Sequence, residues 1–129
     1  EFRRVLFRSI FGGIALEAAY AYGENWLDAL LDYLRGNREF LKGYMKARIP
    51  QIKIIEPEGT YVAWLDCREL GMDNEALEKF MLEKARLWFN QGYLFGSGGE
   101  GFVRMNIGCP RSILEEALGR LEEAVSNLV

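Results

Sequence analysis

Two short segments with strand-like patterns, separated by a turn, constrain the fold of this chain most. The first is the alternating run Ile52–Ile55, and the second is Thr60–Asp66, which is rich in β-branched and aromatic residues. Pro57, Glu58 and Gly59 lie between them, and proline and glycine are typical of turns. The sequence therefore predicts a β-hairpin and, with it, antiparallel strand pairing.

Helical periodicity predicts four helices around this hairpin. They are expected over about residues 11–22, 24–47 and 74–86, and from about Ser112 to the end. Asp73 is the predicted N-cap of the third helix, and the spacing of Ser112 and Glu115 predicts a capping box for the fourth. The second helix carries an apolar stripe that is interpreted as core: Leu27, Leu30, Leu31, Leu34, Leu41 and Met45.

Two more strands complete the expected architecture. Leu87–Phe89 is predicted to be a short buried strand, and Phe102–Ile107 the last strand. The resulting order is helix–helix–strand–strand–helix–strand–strand–helix. This order predicts an α+β fold, with a small, mainly antiparallel sheet covered by helices.

Composition excludes several classes of protein. The chain has 129 residues with 50% hydrophobic and 27% charged residues, which fits one domain or one layer of a larger protein. No apolar run approaches the roughly 20 residues that span a bilayer, so no membrane association is expected. A net charge of −3 without a basic stripe argues against nucleic-acid binding.

The cysteines and the absent histidine argue against a metal site. The chain contains no histidine, and its two cysteines, Cys67 and Cys109, follow no metal-ligand spacing. Both are interpreted as reduced, semi-buried core residues. Reduced thiols are typical of cytoplasmic proteins, so a cytoplasmic location is expected.

The first nine residues differ in character from the rest. Arg3–Ser9 resembles the conceptual translation of a sequencing adapter, which predicts that residues 1–9 are a non-native junction and that residues 10–129 are the domain. The alternative is a genuine basic arm.

A glycine-rich segment matches a nucleotide-binding pattern in letters only. Residues 96–101 read Gly-x-Gly-x-x-Gly, but the dinucleotide fingerprint requires a helix directly afterwards. A β-type run, Phe102–Asn106, follows instead. The segment is therefore interpreted as a loop between strands.

Arg104 is the residue that most suggests a binding function. It lies between Val103 and Met105 in an apolar strand, where a guanidinium needs an anionic partner to offset the cost of desolvation. Its planar, forked donors suit the bidentate binding of a carboxylate. The alternatives are a structural ion pair with a nearby glutamate and an edge-strand charge that faces water.

Several segments together resemble the C-terminal portion of fold-type I pyridoxal-phosphate enzymes, the class I/II aminotransferase superfamily. Their wording is most similar to the cystathionine β-lyase-like branch of bacterial C–S lyases, and the resemblance runs from about Ile10 to the end. The segments are Ala18–Tyr20, Trp26–Asp28, Tyr33–Asn37, Pro57–Asp66, Gly92–Gly96 and Gly101–Arg111.

The resemblance implies that the chain is the small domain of such an enzyme and that Arg104 binds the α-carboxylate of an amino-acid substrate. It places Tyr61 near the mouth of the active site, and Phe95 and Gly96 close to the substrate. It also implies that this domain moves over the large domain and closes the site.

The resemblance further implies what the chain lacks. The lysine that bonds the cofactor pyridoxal 5′-phosphate, the phosphate-binding residues and the aspartate at the pyridine nitrogen all belong to a large domain that is missing here. No catalytic residue is therefore assigned to this chain, which is expected to be inactive alone and part of a homodimer when full length. A C–S β-lyase, an aminotransferase and a stand-alone, non-catalytic binding module remain the alternatives.

Overall fold

The computed structural model describes residues 10–128, and residues 1–9, where the non-native junction is predicted, lie outside the described residues. The helices are α1 (Ile10–Tyr22), α2 (Glu24–Arg48), α3 (Asn74–Lys79) and α4 (Arg111–Ser126). The strands are β1 (Lys53–Ile55), β2 (Val62–Asp66), β3 (Asn90–Gln91) and β4 (Phe102–Asn106).

The four strands form one antiparallel sheet in the order β1-β2-β4-β3. The predicted hairpin is confirmed, because β1 pairs with β2 and Ile54 lies opposite Leu65. β4 inserts between β2 and β3, so it is an interior strand. The predicted α+β class, with a small antiparallel sheet and helices, is confirmed.

One face of the sheet is buried under helices and the other is open. Alternate residues of β2 and β4 are almost fully buried and join a cluster with side chains of α2 and α4. The intervening residues of the same strands are half-buried, among them Trp64 and Arg104. The buried residues of the cluster include Ala63, Leu65, Val103, Met105, Leu41, Met45, Leu114, Leu118 and Leu121. Strand alternation thus places Arg104 on the open face.

Residues 34 onward form one compact unit, and the described residues before them belong to a second. Helix α1, in this second unit, has no buried residue. In α2 the predicted core positions Leu34, Leu41 and Met45 are buried. Leu27 and Leu31 are 47% and 48% exposed, so their assignment to the core was wrong. Both precede residue 34, where the compact unit with the sheet begins.

The third helix begins as predicted but changes its winding. Asp73 is its N-cap, and α3 continues from Lys79 into a π-helical turn, Phe80–Lys84. In this turn the Ala85 amide donates to the carbonyl of Phe80, five residues back, at 3.1 Å. Phe80, Met81 and Ala85 are all buried at this wider turn.

Asp73→Ala is expected to destabilise the chain by about 1 kcal/mol. Asp73 Oδ1 accepts a hydrogen bond from the Ala76 amide at 2.8 Å, and alanine leaves that donor without a protein partner. Asp73→Asn keeps a capping oxygen and is expected to cost at most a few tenths of that value. The free energy of unfolding in urea measures both, and equal losses would contradict the capping role.

The predicted strand Leu87–Phe89 was wrong. Trp88 is 88% exposed, and β3 consists of Asn90–Gln91 instead. Arg86 has a positive φ of 54°, and the Leu87 amide closes the helix end by donating to the Met81 carbonyl at 2.8 Å. The chain therefore reaches the sheet only at Asn90, the first of these residues with a partner in β4.

The predicted capping box of Ser112 and Glu115 was also wrong. Helix α4 begins one residue earlier, at Arg111, and its cap residue Pro110 has no side-chain hydrogen bond to the helix. The Pro110 carbonyl instead accepts from the amides of Ile113 and Leu114. Proline favours helix starts because its φ is already near the helical value, here −53°.

The two cysteines differ in burial, since Cys67 is buried and Cys109 is partly exposed. Both cysteines are free, and burial raises the pKa of the Cys67 thiol to about 12. Within residues 10–128 no cluster of three potential metal-ligating side chains is present. None of the helices in that part of the chain has the length and apolar character needed to cross a bilayer.

Candidate carboxylate-binding site on the open face of the sheet

Four side chains form a row across the sheet, one from each strand. In register, Ile55 lies opposite Trp64, Trp64 opposite Arg104, and Arg104 opposite Asn90. Directly opposed residues share a face and have Cβ atoms about 5 Å apart. Because β4 is an interior strand, Arg104 is not the edge-strand charge that was one alternative for this residue.

The Arg104 guanidinium is held by an aromatic ring and one amide. Its Cζ lies 4.5 Å from the ring centroid of Phe95, a cation–π contact. Its Nη2 donates a hydrogen bond to Asn90 Oδ1 at 3.1 Å. Phe95 is itself braced by Trp64, with centroids 5.3 Å apart and an edge-on angle of 81°. Asn90 and Phe95 thus contact the guanidinium directly, and Trp64 supports Phe95.

The guanidinium still has unused donors and an uncompensated charge. Its Nε is buried and has no hydrogen-bond partner among the described residues. Within residues 10–128 no carboxylate forms a salt bridge with Arg104, so this part of the chain does not supply the structural ion pair that was the other alternative. A buried donor without a partner is unfavourable, and an anion with two acceptor oxygens would satisfy it.

The glycine-rich loop places Phe95 over Arg104. A 3-10 turn, Gly92–Phe95, leads into Gly96, whose φ of +128° is accessible essentially to glycine only. The backbones of Gly92 and Gly99 are in direct contact. A Cβ atom on Gly99 would lie 2.0 Å from the Gly92 carbonyl oxygen, so a larger residue does not fit there. Strand β4 follows the loop at once, which confirms that the Gly-x-Gly-x-x-Gly segment does not open a helix.

A cavity of about 510 Å³ lies beside this arrangement on the open face. Ile55, Trp64, Phe95 and Phe102 supply its apolar walls, and the backbone of residues 96–99 forms its rim. Phe95 thus contacts Arg104 and also lines the cavity. A carboxylate on Arg104 would leave the rest of a small molecule next to an apolar, aromatic surface.

Of the four predicted site residues, the structure brings together Arg104, Phe95 and Gly96 but not Tyr61. Tyr61 precedes β2, its ring is half-exposed, and its carbonyl accepts from the Ile107 amide at 2.8 Å. It lies next to Gly108, at the edge of the sheet where β2 begins and β4 ends, and not in the row that contains Arg104. The roles of all four residues in substrate binding stay predictions.

Sequence reasoning missed the buried residue that holds the segment after β4. Asn37, a polar residue inside α2, is fully buried. Its Nδ2 donates to the carbonyls of Ile107 and Cys109, both at 2.9 Å, and its Oδ1 accepts from Arg111 Nε at 2.9 Å. The signal was its spacing, since Asn37 occupies the position of the apolar stripe between Leu34 and Leu41.

The residues present suit a substrate carboxylate better than the attachment of a cofactor. A lysine that forms a Schiff base needs burial or nearby charge to lower its pKa. None of the five lysines of the chain is buried: Lys42, Lys46, Lys53, Lys79 and Lys84. Lys42 forms an ion pair with Glu56 at 2.8 Å, which raises the pKa of that lysine rather than lowering it.

Comparison with known proteins identifies relatives of this chain along nearly its whole length. No protein-family model matches it. Protein MalY of Escherichia coli is 44% identical over 84% of the chain, and cystathionine β-lyase PatB of Bacillus subtilis is 34% identical over 98%. The crystal structure of cystalysin from Treponema denticola, which contains a pyridoxal 5′-phosphate cofactor, is 39% identical over 94% of the chain and superimposes with a TM-score of 0.90.

The matches also show how much of each relative the chain represents. The chain spans about a third of the length of these relatives: 28% of MalY, 34% of PatB and 31% of the cystalysin chain. An aspartate aminotransferase from Pyrococcus horikoshii matches 60% of the chain, and the structure of a pyridoxal-phosphate-bound protein from Clostridium difficile, named as an aminotransferase, matches 91% with a TM-score of 0.88. The chain is therefore similar, over nearly its whole length, to one part of pyridoxal-phosphate-dependent cystathionine β-lyase and aminotransferase proteins, and its α+β fold matches the small domain of fold-type I pyridoxal-phosphate enzymes.

Proposed function

We propose that this chain is the substrate-carboxylate-binding domain of a pyridoxal-phosphate-dependent C–S β-lyase. The observation that carries the proposal is Arg104, a half-buried guanidinium with a buried, unpaired Nε and no carboxylate partner in the described chain. The α-carboxylate of an amino acid supplies two acceptor oxygens and one negative charge, which match this donor set.

The residues of this chain then bind and orient the amino acid. Arg104 holds the α-carboxylate, and Phe95 blocks one face of the guanidinium, so the carboxylate approaches in the guanidinium plane. The amino acid's side chain lies toward the cavity walled by Trp64 and Phe102. When bound, pyridoxal phosphate withdraws electrons from the α-carbon of the amino acid. The fit of this chain is to the substrate, and the lysine that bonds the cofactor comes from the rest of the protein.

The proposal includes partners and a location. A large domain of the same protein completes the site, and the full-length protein is a homodimer. Closure of this domain over the large domain excludes water from the reacting atoms. The free thiols of Cys67 and Cys109 favour the cytoplasm.

The names of the curated relatives favour a lyase over an aminotransferase. Those named as cystathionine β-lyases match 88% to 98% of the chain, whereas the aspartate aminotransferase matches 60%; a structure from Clostridium difficile that is named as an aminotransferase matches 91%. Carboxylate binding by Arg104 serves both reactions equally, so the residues of this chain do not discriminate between them.

The experiment is a product analysis on the full-length protein with pyridoxal phosphate and L-cystathionine. A β-lyase breaks the Cβ–S bond and yields homocysteine, pyruvate and ammonia in equal amounts, with no 2-oxo acid added. An aminotransferase would instead transfer the amino group of the substrate to added 2-oxoglutarate and would form no product without it. If neither set of products forms with any of a panel of amino acids, the stand-alone binding module replaces the enzyme.

A further inference from the structure

Asn90 is the polar residue in direct contact with Arg104 in the described chain, and no role has yet been assigned to it. It lies on β3, directly opposite Arg104 of β4. Its Oδ1 accepts the hydrogen bond from Arg104 Nη2 at 3.1 Å. We infer that Asn90 is a positioning residue, which orients the Arg104 guanidinium for the substrate carboxylate without occupying the donors that bind it. The inference rests on the proposed function.

The donor count of the guanidinium supports this inference. An arginine carries five N–H donors, and a bidentate carboxylate uses two of them. Asn90 takes one, from Nη2, and the buried Nε keeps its donor unpaired. The hydrogen bond to Asn90 fixes the position of Nη2, and the Phe95 ring, 4.5 Å from Cζ, supplies a second contact to the guanidinium.

The neutrality of the amide leaves the charge of Arg104 to the substrate. An asparagine oxygen accepts a hydrogen bond without cancelling the positive charge, whereas a salt bridge within the chain would compete with the incoming carboxylate. The structure supplies orientation from an amide and an aromatic ring, and no ion pair to Arg104 occurs in residues 10–128.

Asn90 is exposed and lies on an edge strand of two residues, so its side chain has little part in the core. Substitutions there are expected to leave the stability nearly unchanged. Asn90→Leu removes the acceptor at nearly the same size, and Asn90→Gln retains a neutral amide acceptor. This pair of variants separates the hydrogen bond from side-chain bulk.

The experiment uses the full-length protein with pyridoxal phosphate. Asn90→Leu is expected to raise KM for the amino-acid substrate about tenfold, with kcat changed by less than about twofold, since a positioning residue affects the bound ground state and the transition state alike. Asn90→Gln is expected to keep KM within about threefold of the wild type. Melting temperatures of both variants control for folding, and Asn90→Ala is the substitute if Asn90→Leu does not fold.

A second readout does not depend on turnover. Propionate has a carboxylate but no amino group, so it reports binding at Arg104 without reaction at the cofactor. Its dissociation constant is measured by isothermal titration calorimetry in the wild type, Asn90→Leu and Arg104→Lys alike. Asn90→Leu is expected to weaken propionate binding about tenfold, in parallel with KM.

The outcomes distinguish this inference from the proposed function. If Arg104→Lys weakens propionate binding but Asn90→Leu does not, Asn90 is not a positioning residue and the proposed function stands. An Asn90→Gln variant as impaired as Asn90→Leu would also overturn the role of the acceptor oxygen. If Arg104→Lys leaves propionate binding unchanged, the proposed function fails, and the inference fails with it.

Discussion

Arg104→Lys in the full-length protein is expected to lower kcat/KM for the amino-acid substrate by about 30- to 150-fold, mainly through a higher KM. Lysine keeps the positive charge but loses the planar fork, and with it the second parallel hydrogen bond to a carboxylate. It also loses the contact of the guanidinium with the Phe95 ring. The loss of one charged hydrogen bond corresponds to about 2–3 kcal/mol.

The control for this prediction is Arg120→Lys. Arg120 is an exposed residue of α4 that pairs with Glu116 one turn away, far along the chain from the loop and strands of the site. Its substitution is expected to leave kcat/KM unchanged, because exposed ion pairs contribute little. Steady-state kinetics of the two variants side by side measure the difference. A wild-type kcat/KM in Arg104→Lys would remove Arg104 from the substrate site.

The predictions that were confirmed depend on local patterns of the sequence. The hairpin around Pro57–Gly59, the N-cap Asp73 and the strand with Arg104 each follow from residues within a few positions of one another. In the structure its apolar neighbours Val103 and Met105 are buried, so Arg104 lies on the opposite, open face of the sheet. Patterns that extend over only a few residues can be recognised in a single sequence.

Apart from the capping box at Ser112, which is a local pattern, the strand that failed and the contacts that were missed depend on partners distant in sequence. Leu87–Phe89 has the composition of a strand, but pairing begins only where Arg104 lies opposite, at Asn90. The hydrogen bond between Asn90 and Arg104 spans 14 positions, and those of Asn37 span 70 or more. No local pattern specifies such pairs, since strand order and helix packing decide them.

Asn37→Ala is expected to destabilise the chain by about 3 kcal/mol. The substitution removes three hydrogen bonds, each contributing about 1 kcal/mol, in a fully buried position. It leaves the carbonyls of Ile107 and Cys109 without this donor, and buried polar groups without partners are costly. The free energy of unfolding in urea measures the effect, and Asn127→Ala, at an exposed asparagine after α4, is the control with an expected change within about 0.5 kcal/mol.

Asn37→Asp separates the donors of Asn37 from its acceptor. An aspartate can still accept from Arg111, but it directs a second oxygen at the carbonyls of Ile107 and Cys109 in place of a donor. The two carbonyls disfavour the charged carboxylate, whereas the Arg111 guanidinium favours it. Asn37→Asp thus keeps the contact with Arg111 and loses the two hydrogen bonds that Nδ2 donates, and it is expected to destabilise the chain by about 2 kcal/mol at neutral pH. A free energy of unfolding equal to that of the wild type would show that the Nδ2 donors do not hold the segment between β4 and α4.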